Sequence, residues 1–261
     1  MDEHYAQARA LLDAGAPFVA VTVVDATGSV PCDQGAKMLV TARGLFHGTV
    51  GGGRVEHKAV EEARRMLEEG PAAPRMRFVD WNLKRDVGMT CGGSLKLFFE
   101  AVNAAPWQIV VFGAGHVAQT LTRLLVQLDC RVTCFDTRPE WLEKLPDAPR
   151  LTRVLSADLP GEVARLPEGA FVLLMTMGHR TDSPILVEIL RTRAFPYLGV
   201  IGSAGKAGRL RKDVVEAGLP AASRDAFYCP IGLPIGTNHP AEIAVSVVAQ
   251  LLQERDRARA A

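Results

Sequence analysis

The sequence predicts an α/β chain, a C-terminal Rossmann-like parallel sheet preceded by a smaller α+β domain. Solidly apolar strands alternate with helical segments after residue 107, as in a parallel sheet covered on both faces. A glycine fingerprint joins the first of those strands to the helix that follows it. Before residue 103 the strands are β-branched and come around turns, with amphipathic helices among them. The boundaries read as 1–103 and 107–261, with NAAPW (103–107) as the linker between them.

In chain order, MDEHYAQARALLDAGAP (1–17) is an amphipathic helix with acidic residues near its start. FVAVTVVDATG (18–28) is a strand by its β-branched content, and MLVTARGLFHGTV (38–50) divides into two strands around Gly44. Gly51–Gly53 open a helix on which Val55, Ala59, Ala63, Met66 and Leu67 recur at helical spacing, with Gly70 ending it. RMRFVDWNL (75–83) and SLKLFFEAV (94–102) are strands, the second placing Leu95, Leu97 and Phe99 on one face. After the linker come the strand QIVVF, the helix HVAQTLTRLLVQL and the strands RVTCFD, RVLSAD, FVLLMTMG and YLGVIGS. DSPILVEILRTRA is helical between the last two strands. A final helix starts near Pro240, since proline suits a first turn where its missing N–H would have had no partner.

Hydrophobic residues make up 48% of the chain and charged residues 23%, the balance of a globular protein with a sizeable core. Lys plus Arg number 30 and Asp plus Glu 29, so no net field draws nucleic acid or an anionic membrane. No apolar run approaches the roughly 18 residues that span a bilayer, and the start lacks the features of a signal peptide. Five cysteines without a CxxC pair read as reduced thiols in a cytoplasm, with no disulfide framework and no zinc finger. Cys32, Cys130 and Cys134 read as core, while Cys229, before Pro230, stays open.

Gly113-Ala114-Gly115-His116-Val117-Ala118 fits GxGxxA, in which the glycines allow a tight turn and close approach of a pyrophosphate to a helix start. Asp136 ends the next strand, 23 residues after Gly113, where a carboxylate would accept from ribose hydroxyls. Arg138 would instead pair with a 2′-phosphate, so NAD and NADP both stay open, as does a turn with no ligand. GVIGSAGK (199–206) fails the P-loop spacing, because Val200 and Ala207 stand at required positions. Gly202, Ser203 and Lys206 still suit an anion at a strand-to-helix turn.

In GMTCGG (88–93), Cys91 is either inert packing or a thiol held out to a ligand. The small neighbours Gly92 and Gly93 leave it little covered. His116 at the start of its helix is either a phosphate donor or a packing residue. His179, beside Arg180 and Asp182 at the carboxyl end of a strand, suits ligand or partner contact. His239 reads as structural, and Glu56 and Glu242 suit the positive ends of helices.

Taken together, GMTCGG, GAGHVAQTLTRLL…VTCFDTRPEW and IGSAGKAGRL…PIGLPIGTNHPAEIAVSVVAQLL resemble the XdhC/CoxI family, the xanthine dehydrogenase accessory factors. VGGGRVEHKA (50–59) matches the family's first domain as well, and the similarity runs from about residue 18 to the final helix. The resemblance implies a non-catalytic chaperone that holds the molybdenum cofactor (molybdopterin) while a cysteine desulfurase sulfurates it. It further implies delivery to the molybdenum subunit of apo-xanthine dehydrogenase, a step in purine catabolism. On this reading a cleft between the domains holds the cofactor, with Gly51–Gly53, Cys91–Gly93, Gly113, Gly115, His179 and Gly202–Lys206 around it. Cys91 would then be the metal ligand, since soft thiolates suit such metals. The rival is an NAD(P)-dependent oxidoreductase using Asp136 for ribose and His179 as general acid or base. A third reading is a docking protein with an empty cleft. Exposed strand edges of the first domain would allow a homodimer.

Overall fold

In the computed structural model, which describes residues 2–69, 73–90, 92–104 and 107–260, the chain divides into two units, Met1–Pro106 and Trp107–Ala261. The first holds helix α1 (Asp2–Asp13), strands β1 (Phe18–Thr27), β2 (Lys37–Thr41) and β3 (Gly44–Gly48), and helix α2 (Gly53–Glu68). Strand β4 (Met76–Asn82), the short helix α3 (Leu83–Val87) and strand β5 (Ser94–Val102) complete it. Its sheet is antiparallel in the order β3-β2-β1-β5-β4.

Alternation decides which face of that sheet is covered. Val19, Val21 and Val23 of β1 point the same way as Leu95, Leu97 and Phe99 of β5, and all six are buried. Against them α2 lays Val55, Ala59, Ala63 and Met66, spaced to share one helical stripe. Full burial of a side chain such as Val55 or Leu97 contributes about 1.5–3 kcal/mol. Leu11 of α1 packs with Phe18 and Leu39 in a separate small cluster. Gly70, the expected stop of α2, lies outside the described residues. The helix itself closes at Glu68, with the Glu69 N–H donating to Arg65.

The second unit contains strands β6 (Trp107–Phe112), β7 (Cys130–Asp136), β8 (Leu151–Leu155), β9 (Phe171–Leu174) and β10 (Tyr197–Val200). Its helices are α4 (His116–Leu125), α5 (Pro139–Leu142), α6 (His179–Thr192), α7 (Ala204–Glu216) and α8 (Pro240–Ala260). All strand pairs are parallel, in the order β10-β9-β6-β7-β8. Ile109 and Val111 pack in one core with Leu121, Leu125, Val247 and Leu251 of α4 and α8. Val110 and Phe112, on the opposite face, join Ile185, Ile189, Leu210 and Val214 of α6 and α7. This two-sided cover explains why the strands are apolar at consecutive positions and do not alternate. No helix among the described residues is long and apolar enough to cross a membrane.

The strand order reverses at β6, and the loops leaving β6 and β9 at the carboxyl edge, where open α/β sheets take ligands, lead to helices on opposite faces. At Gly113 these loops touch. A Cβ there would lie 2.6 Å from the Met175 carbonyl carbon, and φ is +104°. Gly115 has an ordinary φ of −65° and open space where a side chain would be. Gly113→Ala is expected to cost on the order of 3 kcal/mol, through strain and overpacking together. Gly115→Ala should change stability by less than about 0.5 kcal/mol. Urea unfolding midpoints of the two variants check the contrast.

Candidate cofactor site

Three segments converge at the start of α2 in the first unit: residues 28–33, 49–53, and 88–90 with 92–93. At the first junction, a Cβ on Gly93 would lie 2.5 Å from the Ser29 carbonyl oxygen and 2.8 Å from that of Thr27. The backbone at Gly93 thus sits directly on the end of β1. Its carbonyl accepts from the Leu83 N–H at 2.9 Å, which ties the same loop to α3. At the second junction the Arg54 guanidinium donates to the Gly88 carbonyl, and Lys58, one turn on, donates to that of Asp86. At the third, a Cβ on Gly51 would lie 2.8 Å from Pro31 and 3.3 Å from the Cys32 sulfur.

Gly51, Gly52 and Gly53 all have positive φ (118°, 68° and 54°), and the run turns the chain abruptly into the helix. Gly52 is the N-cap, and no side chain caps the helix there. The first-turn amides and the helix dipole therefore leave a site of positive potential. Glu56 partly offsets it and accepts from the Thr49 hydroxyl. Beside this start is an open concavity of about 590 Å³, walled by Pro31, Cys32, Asp33, Thr49, Gly51 and Gly52. Around Gly92 there is room for a Cβ with no atom within 4 Å. Cys91, the expected metal ligand, lies outside the described residues.

Cys32, expected in the core, packs at its edge. Partly exposed, it stands in the wall of the concavity. Burial, and then the Asp33 carboxylate, push its thiol above the ordinary range, so it is protonated at neutral pH. Cys130 and Cys134 are core residues as expected, with burial first among the causes that push their thiols up to about 11 and about 12. Cys229 is buried too. The turn at 28–33 is the part of the site that sequence reasoning missed. Its one signal was the string GSVPCD, which places glycine, proline and cysteine together after a strand.

The second unit brings Gly113, Gly115, His116 and Asp136 to one edge of the parallel sheet, but Asp136 is not free for a ribose. Its carboxylate, nearly fully buried, accepts from the backbone N–H groups of Ala114 (2.7 Å) and Arg138 (3.0 Å). It also accepts from Arg138 Nε and Nη2, both at 2.9 Å. Four donors fill its four lone-pair positions, so the expected ribose contact gives way to an internal pair. The crevice beside it measures about 10 Å³, the room of a single water. His116 is exposed and meets Trp141 edge-on, with ring centroids 5.0 Å apart.

His179 and Lys206 are tied into the fold on the other side of that edge. His179 Nε2 lies 2.8 Å from Asp213 of α7, an ion-pair distance off the alignment of a good hydrogen bond. Asp182, fully buried, accepts from the Thr176 N–H at 3.1 Å and the Thr176 hydroxyl at 2.6 Å. Its other oxygen takes the Lys206 ammonium, which also donates to the Ile201 carbonyl at 2.7 Å. Lys206 therefore does not offer its charge to a phosphate as expected, because a buried carboxylate neutralises it. Ser203 caps α7 by accepting from the Lys206 N–H, and Gly202 lies against the Lys206 stem. His239 Nδ1 accepts from the Ala241 N–H at the start of α8. Among the described residues no group of three or more His, Cys, Asp or Glu could hold a metal ion.

Residues 109–251 match the model of the XdhC Rossmann domain, and residues 11–79 match that of the XdhC and CoxI family. The chain is 30% identical over 260 residues to the uncharacterized protein YqeB of Escherichia coli (strain K12), covering 97% of this chain and 46% of that protein. It is 30% identical over 163 residues to a probable xanthine dehydrogenase subunit of Bacillus subtilis (strain 168), covering 62% of this chain and 46% of that protein. The chain thus spans about half the length of the curated relatives it matches. A crystal structure of a xanthine dehydrogenase from Bacillus halodurans shares the fold, with a TM-score of 0.51 at 22% identity over 95% of this chain and 94% of that one.

Burial raises the affinity of Asp136 for a proton, but the bonds from Arg138 and the two backbone amides outweigh it and hold the carboxyl below its ordinary value. A depressed folded-state pKa stabilises the fold above the unfolded value of about 3.9, and that stability is lost as pH falls through the folded value. Arg138→Ala removes the strongest opposing bonds and leaves the burial. Its acid unfolding should therefore begin at higher pH than in the wild type, as followed by circular dichroism from pH 7 to 2. Lys206→Ala, which strands the buried Asp182 carboxylate, is expected to cost about 3–5 kcal/mol in urea unfolding at pH 7.

Proposed function

This chain belongs to the XdhC and CoxI family, and on that premise we propose that it is an accessory factor of a xanthine dehydrogenase that binds a pterin-based molybdenum cofactor in its first unit. The reading rests on the 28–33 turn, which Gly93 meets at one end and Gly51 at the other, beside the uncapped start of α2 and an open concavity. A phosphate arm needs backbone donors unobstructed by side chains, and the amides opening α2 are of that kind. A flat pterin needs a slot within the usual range of about 300–1,000 Å³, which the concavity meets. The cofactor carries its metal on its own dithiolene, so the protein needs no metal cage. A single soft ligand suffices, and Cys32 in the wall or Cys91, next to Gly92 in sequence, has that chemistry.

When bound, the cofactor would supply the redox metal that the target dehydrogenase uses. The residues of this chain would hold the phosphate arm, keep water from one face and present a thiol. No general acid or base is needed for that role, and none is assigned. The partners on this reading are a cysteine desulfurase that sulfurates the held cofactor and the molybdenum subunit of the dehydrogenase that receives it.

The test is retention of cofactor by the full chain purified from a host that makes molybdopterin, measured as molybdenum by mass spectrometry and as oxidised-pterin fluorescence. Wild type is expected to carry both, and Cys32→Ala or Cys91→Ala to lose at least about tenfold, the loss of one soft ligand. Absence of pterin from the wild type, even after incubation with molybdopterin, would sink the proposal.

A further inference from the structure

The Asp136–Arg138 pair in the second unit has a second edge that the fold does not use. Arg138 spends Nε and Nη2 on Asp136, while among the described residues Nη1 has no hydrogen-bond partner. The guanidinium is only partly exposed, at 26% of its side-chain surface, and it lies over the Trp141 ring at 4.7 Å. Carboxylate and ring together hold it in one orientation. Lys144 stands over the same ring at 4.4 Å, and His116 meets it edge-on. Three cationic or potentially cationic groups are thus gathered around Trp141, next to the Gly113–Gly115 turn to which Asp136 is bonded. Glu140, exposed on the same short helix, is the acidic residue that faces Arg138.

The chemistry of this cluster discriminates between ligands. In dinucleotide folds a carboxylate at the end of the second strand takes the ribose hydroxyls. Here that carboxylate has no lone pair left, and a neutral ribose would have to displace a charge-assisted, two-point arginine bond to reach it. A phosphate on the 2′ position needs no such displacement. It would accept from the open edge of Arg138, while Asp136 continues to hold the arginine. We propose that the second unit binds a nucleotide phosphorylated at the ribose 2′ position, with Arg138 as the residue that selects it and Asp136 as the residue that positions Arg138. The site lies wholly within residues 107–261, and its test involves neither the cofactor nor the concavity of the first unit.

The probes are adenosine 2′,5′-bisphosphate and adenosine 5′-diphosphate, which carry the same number of phosphates in different places. Titration of the full chain by calorimetry is expected to show the 2′,5′ compound binding at least about tenfold more tightly. Arg138→Lys, which keeps the charge but loses the two-edged geometry, should abolish the preference. Lys144→Gln, which removes a charge stacked on Trp141 but keeps the open edge of Arg138, should leave the preference for the 2′,5′ compound in place. Equal affinities for the two probes, a preference for the 5′-diphosphate, or no binding of either at millimolar concentration would each overturn the proposal. So would an undiminished preference in a folded Arg138→Lys variant.

Discussion

A Cβ on Gly93 would sit 2.5 Å from the Ser29 carbonyl oxygen and 2.6 Å from a Val30 methyl, where no carbon atom can be placed. The missing side chain lets the backbone at Gly93 press onto the end of β1. From this one close approach the arrangement of the first unit's site follows. Gly93 is held against the end of β1 and Met89 by its N–H bond to the Leu83 carbonyl, and Gly88 is within reach of Arg54 on α2. The other end of the 28–33 turn lies against Gly51, which sets the helix start beside Cys32. A larger residue at 93 would push apart elements that are distant in the chain, and the concavity would lose its shape.

The second unit meets the same kind of constraint with a different result. Gly113 brings the β6 and β9 loops into contact, and the carboxylate that would take ribose hydroxyls is occupied by Arg138 folded onto it. A Rossmann sheet with a glycine fingerprint therefore does not by itself make a nicotinamide enzyme. His179, the candidate acid or base, is engaged by Asp213, and the charge of Lys206 is cancelled by Asp182. Both are explained by the packing of α6 against its neighbours, without a ligand.

Much of this was legible in the sequence, for identifiable reasons. The parallel sheet was readable because two-sided burial leaves continuous apolar runs such as QIVVF and FVLL, and α2 because Val55, Ala59, Ala63 and Met66 keep helical spacing. Gly51–Gly53 and Gly92–Gly93 stood out by composition alone. Contacts between residues far apart in the chain were not readable. Nothing local in GSVPCD says that Cys32 meets Gly51, and no spacing rule says that Asp182 finds Lys206, 24 positions on. The place of Asp136 in the fingerprint suits a ribose acceptor. The arginine two residues later claims it, and only three-dimensional geometry shows that Nε and Nη2 both reach it.

The most direct test of the first-unit site is hydrogen–deuterium exchange of the full chain with and without molybdopterin. Protection confined to amides in 28–33, 49–56 and 88–93 is the result that this account predicts. Protection elsewhere with those three segments unchanged would place the cofactor away from the start of α2 and contradict it.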